Sequence, residues 1–211
     1  MIRNVIFDVG KVLIGWDPAL SMEMIGFSEE EKQIVMKALF TDKKIWNEED
    51  RGLKSREEMS DYLVSFDPEH EDLIRRFYEN ATISVTPMDY SRDWITSLRN
   101  AGYKVYVLSN FGEGAFHKAV EYGAINFTDL LDGAIWSYQI HHVKPEPEIY
   151  LALMDKYSLI PEECVFIDDV AANIDAAVGV GMKGIVFEGY EAATRKLEEI
   201  GVVIHADHLI K

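Results

Sequence analysis

The stretch "NVIFDVGKVLIGWDP", Asn4–Pro18, carries an apolar run, Val5-Ile6-Phe7, straight into a carboxylate at Asp8, then a glycine at 10 and a second apolar pair, Val12-Leu13. A strand apolar on every residue is buried on both faces, as in a parallel sheet, and a polar residue at its carboxyl end lies where open parallel sheets bind ligands. Three more runs have the same form: "YKVYVLSN" (103–110), "CVFIDD" (164–169) and "KGIVFEG" (183–189). Helical patterns separate them. "TPMDYSRDWITSLRNAG" (86–102) sets Trp94, Ile95 and Leu98 at helical spacing and stops at Gly102, while "DVAANIDAAVGVG" (169–181) reads as a short Ala-rich helix closed by glycines. "YEAATRKLEEIG" (190–201) reads as a surface helix ahead of a last short strand, "VVIHA". The expected fold class is α/β, a parallel sheet flanked by helices.

Between Asp17 and Ser84 no strand-like run occurs, and helix starts are legible instead. Ser28 with Glu31, and Ser55 with Glu58, fit the capping box, in which a serine and a glutamate three residues later satisfy each other's free amides. Asp67-Pro68 and Asp17-Pro18 each read as an N-cap followed by proline at the first helical position. The chain therefore divides into a core, residues 1–16 and 85–211, and an inserted all-helical segment, residues 17–84. The charge runs "SEEEK", "NEED" and "EHED" within that insertion read as solvated faces.

With 37 acidic and 21 basic residues the formal net charge is −16, which argues against nucleic acid or an anionic membrane as partner, since both demand a basic face. An anionic small molecule needs local positive charge to bind here. No run approaches the roughly 20 apolar residues that span a bilayer, and the N-terminal segment enters a strand directly, so a cytoplasmic location is expected. Cys164, the single cysteine, opens an apolar strand and reads as a buried, inert thiol.

At the strand ends, in chain order, stand Asp8, Ser109-Asn110 and Asp168-Asp169, with Lys144 in the intervening "HHVKPEPEIY" (141–150). Three carboxylates in one crevice require a cation, which points to a hard metal with oxygen ligands, Mg²⁺ foremost. A lysine and a hydroxyl beside them complement anionic oxygens, so the set suggests phosphate chemistry with an aspartate as nucleophile.

The ordered segments "VIFDVGKVL", "VYVLSN", "VKPEPEIY" and "VFIDDVAANIDAA" resemble the haloacid dehalogenase-like superfamily, in particular the branch that contains a bacterial α-glucose-1-phosphate phosphatase and whose first motif also reads Asp-x-Gly. The resemblance spans the chain and implies a Rossmann-like core with a helical cap inserted after the first motif. It implies that Asp8 is a nucleophile forming an aspartyl-phosphate, and that Ser109 and the amide of Asn110 bind phosphate oxygens. Lys144 would offset the accumulating negative charge, and Mg²⁺ would be held by Asp8, the Gly10 carbonyl, Asp169 and Asp168. Asn173 would either lie on a helix surface or orient Lys144 and the acidic pair. Most phosphatases of this superfamily carry an acid where this chain has Gly10. Three readings follow: a phosphatase working without that acid, a dehalogenase or mutase, or a non-catalytic relative that binds phosphate or protein. The retained acidic pair favours a Mg²⁺-dependent phosphatase acting on a small phosphorylated metabolite, with sugar phosphates the leading class. Asp17 is the nearest downstream carboxylate that could stand in for the acid, although its N-cap position competes with that role. Trp46 and Arg51, in "KKIWNEEDRG" (43–52), are expected to serve core packing and a surface ion pair. His141, His142, His205 and His208 are expected to lie outside the site. Replacing Lys144 with alanine is expected to damage catalysis while largely sparing the fold.

Overall fold

The computed structural model describes residues 1–42 and 44–204. Five parallel strands form the central sheet: β1 (Asn4–Phe7), β4 (Lys104–Ser109), β5 (Gly133–Trp136), β6 (Cys164–Asp168) and β7 (Lys183–Val186), in the order β5-β4-β1-β6-β7. β1 is central, with Asn4 in register with Lys104 on one side and Cys164 on the other, so the strand ends at Asp8, Ser109 and Asp168 converge on one edge of the sheet.

Alternation along the strands sorts the core into two layers. Val5 and Phe7 pack with Trp94, Ile95 and Leu98 of α6 (Ser91–Asn100) and with Ala193 and Leu197 of α11 (Tyr190–Glu199). Ile6, Tyr106 and Phe166 face the other way, onto Ile149, Tyr150 and Leu153 of α9 (Pro147–Tyr157) and Ile174 and Ala177 of α10 (Ala171–Gly179). Gly102 closes α6 at φ 89°, a left-handed conformation that a side chain would strain. The Cys164 thiol is fully buried, and burial pushes its pKa up to about 11, so the thiolate does not form at neutral pH.

The segment between the first strand and α6 is helical: α1 (Pro18–Ile25), α2 (Glu29–Phe40), α3 (Lys44–Arg51), α4 (Arg56–Val64) and α5 (Glu71–Asn80). Met22, Val35, Leu39, Met59, Leu63, Ile74 and Phe77 bury a core of their own. Both capping boxes form, with Ser28 and Ser55 each exchanging hydrogen bonds with the glutamate three residues on. The Asp67-Pro68 pair starts a single 3₁₀ turn, not an α-helix. The Asp67 carboxylate lies 2.9 Å from His70 Nδ1 and makes no cap bond, and α5 begins only at Glu71.

Three short strands escape a sequence reading. β5 is the edge strand "GAIW", too short and too poor in branched residues to stand out. β2 (Ile14–Gly15) and β3 (Thr86–Pro87) pair antiparallel where the chain leaves the sheet region for the helices and returns. Ser84 Oγ donates to the Asp17 carbonyl at 2.9 Å and lies 2.7 Å from Ser21 Oγ, fastening the two crossings together. Val202–Ile204 of the expected last strand have no strand structure, while His205 and His208 lie outside the described residues. Among the described residues no helix is long and apolar enough to cross a membrane.

Candidate active site

Asp8 follows β1 directly and is 8% exposed. Its Oδ1 accepts from the Val9 amide at 2.6 Å and from Ser109 Oγ at 2.9 Å, and pairs with Lys144 Nζ at 2.7 Å. All three contacts fall on one oxygen, so Oδ2 is the carboxylate oxygen open to a substrate. Ser109 ends β4 and is 1% exposed, which fixes its hydroxyl against Asp8 and limits the rotamers it samples.

Lys144 Nζ also pairs with Asp168 Oδ2 at 2.7 Å, and its side chain is almost wholly buried. Burial pulls a lysine pKa down, but the two carboxylates outweigh it here and hold the ammonium's pKa above the ordinary lysine value. Its backbone is fixed by Asn110. The Asn110 side chain accepts from the Lys144 N–H at 2.7 Å and donates to the Lys144 carbonyl at 3.1 Å. Asn110 thus has a positioning contact the sequence did not disclose, alongside any part its amide plays. Both oxygens of Asp168 are occupied: Asn173 Nδ2 lies 3.0 Å from each, Val170 N–H donates to Oδ1 at 2.8 Å, and Lys144 holds Oδ2. Asn173, 7% exposed, therefore holds Asp168 and is not a helix-surface amide.

Asp169 is half-buried beside this group, and burial first, then the neighbouring Asp168, raises its pKa, with Lys11 and Lys144 opposing. One oxygen from each of Asp8, Asp168 and Asp169 lies within 4.8 Å of the others. Three carboxylates against one ammonium leave an excess of two negative charges in a partly desolvated space, a donor set that fits a divalent hard cation.

Gly10 sits in a tight loop in which Lys11 adopts φ 60° and the amides of Leu13 and Ile14 both return to the Val9 carbonyl, at 2.8 and 3.0 Å. A Cβ built on Gly10 meets no atom within 4 Å, so neither packing nor a left-handed φ demands glycine there. The space is a cavity of about 490 Å³ lined by Gly10, Asn110 and Phe111 from the sheet side and by Trp46, Glu49 and Asp50 from α3.

Asp17 does not reach this space as a free acid. It is the N-cap of α1, with Oδ1 accepting from the Ala19 amide at 2.8 Å. Trp46 stacks on Phe40, with ring centroids 5.4 Å apart, and meets Trp16 edge-on at 6.2 Å, so it packs and lines the cavity at once. Arg51 forms a bidentate pair with Glu146, two residues past Lys144, with Nη1 3.1 Å from Oε2 and Nη2 on Oε1. This pair spans from α3 to the lysine loop, and His141 Nδ1 lies 2.7 Å from the Arg51 carbonyl in the same junction. His142 pairs with Glu146 at 3.4 Å on the outer side. The run "NEED" is not a uniform solvated face. Glu48 pairs with Arg51 and Lys54, but Glu49 accepts from the Tyr78 hydroxyl at 2.7 Å, and Glu49 and Asp50 both line the cavity.

A family model described as haloacid dehalogenase-like hydrolase matches residues 2–181. The chain is 25% identical to the D-ribitol-5-phosphate phosphatase of Bacteroides thetaiotaomicron over 197 residues, covering 87% of this chain and 90% of that one. It is also 25% identical to a sesquiterpene phosphatase of Aspergillus oryzae over 201 residues, 94% of this chain and 96% of that one. Two other curated relatives are matched over only 27% and 19% of their own length. A solved structure of a HAD family enzyme from Bacteroides thetaiotaomicron, in complex with magnesium and inorganic phosphate, superimposes with a TM-score of 0.67 at 25% identity, covering 92% of this chain and 99% of that one.

Proposed function

The chain belongs to the haloacid dehalogenase-like hydrolases, and from that premise we propose that it is a Mg²⁺-dependent phosphatase that transfers the phosphoryl group of a small phosphate monoester to Asp8 and then to water. One observation carries this reading: Asp8 presents a single free oxygen while its other oxygen is held by Ser109, Lys144 and the Val9 amide. An oriented, hydrogen-bonded carboxylate beside a buried ammonium is built for attack on an electrophile whose charge the ammonium then offsets.

In the first step Asp8 Oδ2 attacks phosphorus, the P–O bond to the alcohol breaks, and an aspartyl-phosphate forms. Lys144 stands where negative charge accumulates. With Oγ held in place beside Asp8, the Ser109 hydroxyl redirects its proton to a phosphoryl oxygen when substrate enters, and the Asn110 amide supplies a second donor. Water then attacks phosphorus and releases inorganic phosphate, restoring the Asp8 carboxylate. Asp8, Asp169 and the Gly10 carbonyl would hold Mg²⁺, which supplies positive charge that draws a dianionic ester into an acidic site. With both its oxygens already accepting hydrogen bonds, Asp168 serves this reading best as the support that fixes Lys144. Residues 17–84 act as a cap over the core formed by residues 1–16 and 85–211.

The substrate we favour is a sugar or sugar-alcohol phosphate. Trp16 and Trp46, which both line the cavity, bring apolar surface to the C–H side of such a body. Two relatives named as phosphatases of a ribitol phosphate and of a sesquiterpene make polyol and isoprenoid phosphates the first members of a test panel. Hydrolysis of a generic aryl phosphate should fall by more than about 100-fold in excess chelator and return on adding Mg²⁺. Undiminished turnover in chelator contradicts the metal assignment.

A further inference from the structure

Once an alkyl phosphate transfers its phosphoryl group to Asp8, the departing oxygen becomes an alkoxide unless a proton reaches it, and an alkoxide is a poor leaving group. The groups already placed around Asp8 cannot give that proton. Lys144 is shared between two carboxylates, Asp168 accepts on both oxygens, and Ser109 donates to Asp8 itself. At position 10 no side chain exists, and the space one would fill is open cavity.

Asp50, the penultimate residue of α3, lines that same cavity. Its backbone is pinned to the sheet side of the site: Ser137 Oγ donates to the Asp50 carbonyl at 2.6 Å, and the next residue, Arg51, grips Glu146 of the Lys144 loop. Two glycines permit the approach. A Cβ on Gly52 would come within 2.9 Å of Tyr138, and one on Gly112 within 2.7 Å of the Glu49 carboxylate. The Asp50 carboxyl faces the Gly112 amide and lies within electrostatic reach of Asp8 and Lys144 across the crevice.

Building on the phosphatase reading, we propose that Asp50 is the general acid and base of the reaction, standing in for the side chain that Gly10 lacks. Its carboxyl proton passes to the ester oxygen as the P–O bond breaks and the Asp8–phosphorus bond forms. The resulting Asp50 carboxylate then takes a proton from the water that attacks phosphorus, so each turnover returns it to the acid form. Burial, and then the negative charges of Glu49 and Asp8, push the Asp50 pKa up to about 7, with Lys144 and the Gly112 amide opposing; the carboxyl is therefore poised to hold and release a proton near neutrality. Glu49 and Glu113 also line the cavity, but Glu49 is committed to the Tyr78 hydroxyl, and Glu113 is largely exposed at the start of its helix, 4.0 Å from His117.

The test compares first-turnover release of two alcohols by wild type, Asp50→Asn and Glu49→Gln. With p-nitrophenyl phosphate, whose leaving group needs no proton, the first equivalent of nitrophenolate should appear within about three-fold of the wild-type rate in Asp50→Asn, followed by a slower steady state. With an alkyl phosphate, alcohol release should fall roughly 10²–10⁴-fold in Asp50→Asn and keep its wild-type ratio to nitrophenolate release in Glu49→Gln. A readout independent of activity follows from the raised pKa. Asp50 binds its proton more tightly folded than unfolded, so ionising it costs stability as pH rises toward about 7. That loss accumulates from the unfolded carboxyl's 3.8 up to about 7, so Asp50→Asn should melt at least about 3 °C above wild type at pH 8 and by a clearly smaller margin at pH 5. Equal loss on both esters, or leaving-group sensitivity that appears in Glu49→Gln instead, overturns the assignment of Asp50 and leaves the phosphatase reading standing. A wild type that turns over neither ester overturns both.

Discussion

Asp8→Asn should lower the turnover of every phosphate monoester by roughly 10⁵-fold or more while leaving a well-folded protein. The scale is that of removing a covalent nucleophile from an assembled site. The amide has nearly the shape of the carboxylate, so the Ser109 hydroxyl and the Val9 amide keep an oxygen to donate to. What disappears is the nucleophilic lone pair at Oδ2 and one of the charges that hold the cation. Lys144 retains Asp168 as its partner, so no buried ammonium is left unpaired, and taking one charge from a desolvated cluster is not expected to weaken the fold. Steady-state assays of the purified variant, with contaminating phosphatase excluded by an inactive control preparation, decide the matter. Residual turnover within about ten-fold of wild type removes Asp8 from the chemistry.

Lys144→Ala is the second large effect, and it falls on rate and stability together. From sequence the fold is expected to be largely spared, because Lys144 reads as a counter-charge to the nucleophile and phosphoryl group and not as a structural partner. In the structure the residue is 3% exposed, and its ammonium is shared by two buried carboxylates. Removing one member of a buried ion pair strands its partner's charge, which costs about 3–5 kcal/mol. For a chain of this size that corresponds to a melting temperature lower by roughly 6–20 °C. Turnover should fall by about 10³-fold or more, because the charge building on the phosphoryl group then meets only the carboxylates. Thermal melts and kinetics measured well below the variant's transition separate the two losses. An alanine variant with wild-type melting and wild-type rate would place Lys144 outside the site.

What the sequence disclosed and what it hid follow from the range of the signals. Strands buried on both faces show as unbroken apolar runs, so β1, β4, β6 and β7 were legible, and each functional strand end announced itself by an abrupt polar residue. The capping boxes were legible because their hydrogen bonds close within four residues. β5 was not, since an edge strand of four residues has too little pattern to distinguish it from loop. Nor was the β2–β3 ladder, whose partners stand about 70 residues apart and owe their pairing to where the chain crosses between layers.

Asp50 was the most thoroughly hidden. In "WNEEDRG" three acids in a row read as a solvated helix face, and periodicity alone cannot tell Glu48, which faces Arg51 and Lys54, from Asp50, which faces the cavity. The distinction is made by contacts about 90 residues distant in the chain, Ser137 on the Asp50 carbonyl and Glu146 on Arg51. The nearest local hint was Gly52, whose φ of 65° and contact with Tyr138 mark a close approach of α3 to the layer beneath. Asp17 misled for the converse reason: a carboxylate before proline satisfies a strictly local requirement, and the local requirement won.

The central claim is that phosphorus passes through Asp8, and the direct measurement is to catch it there. Wild-type protein mixed with excess aryl phosphate and Mg²⁺, quenched in acid within the first turnover and digested at low pH, should yield the peptide containing Asp8 heavier by one phosphoryl group. Borohydride treatment of the quenched protein should convert that one residue to homoserine. The same experiment on Asp8→Asn should give neither product. A phosphoryl group found on another residue, or rapid turnover with no phosphorylated Asp8 at any quench time, contradicts the account.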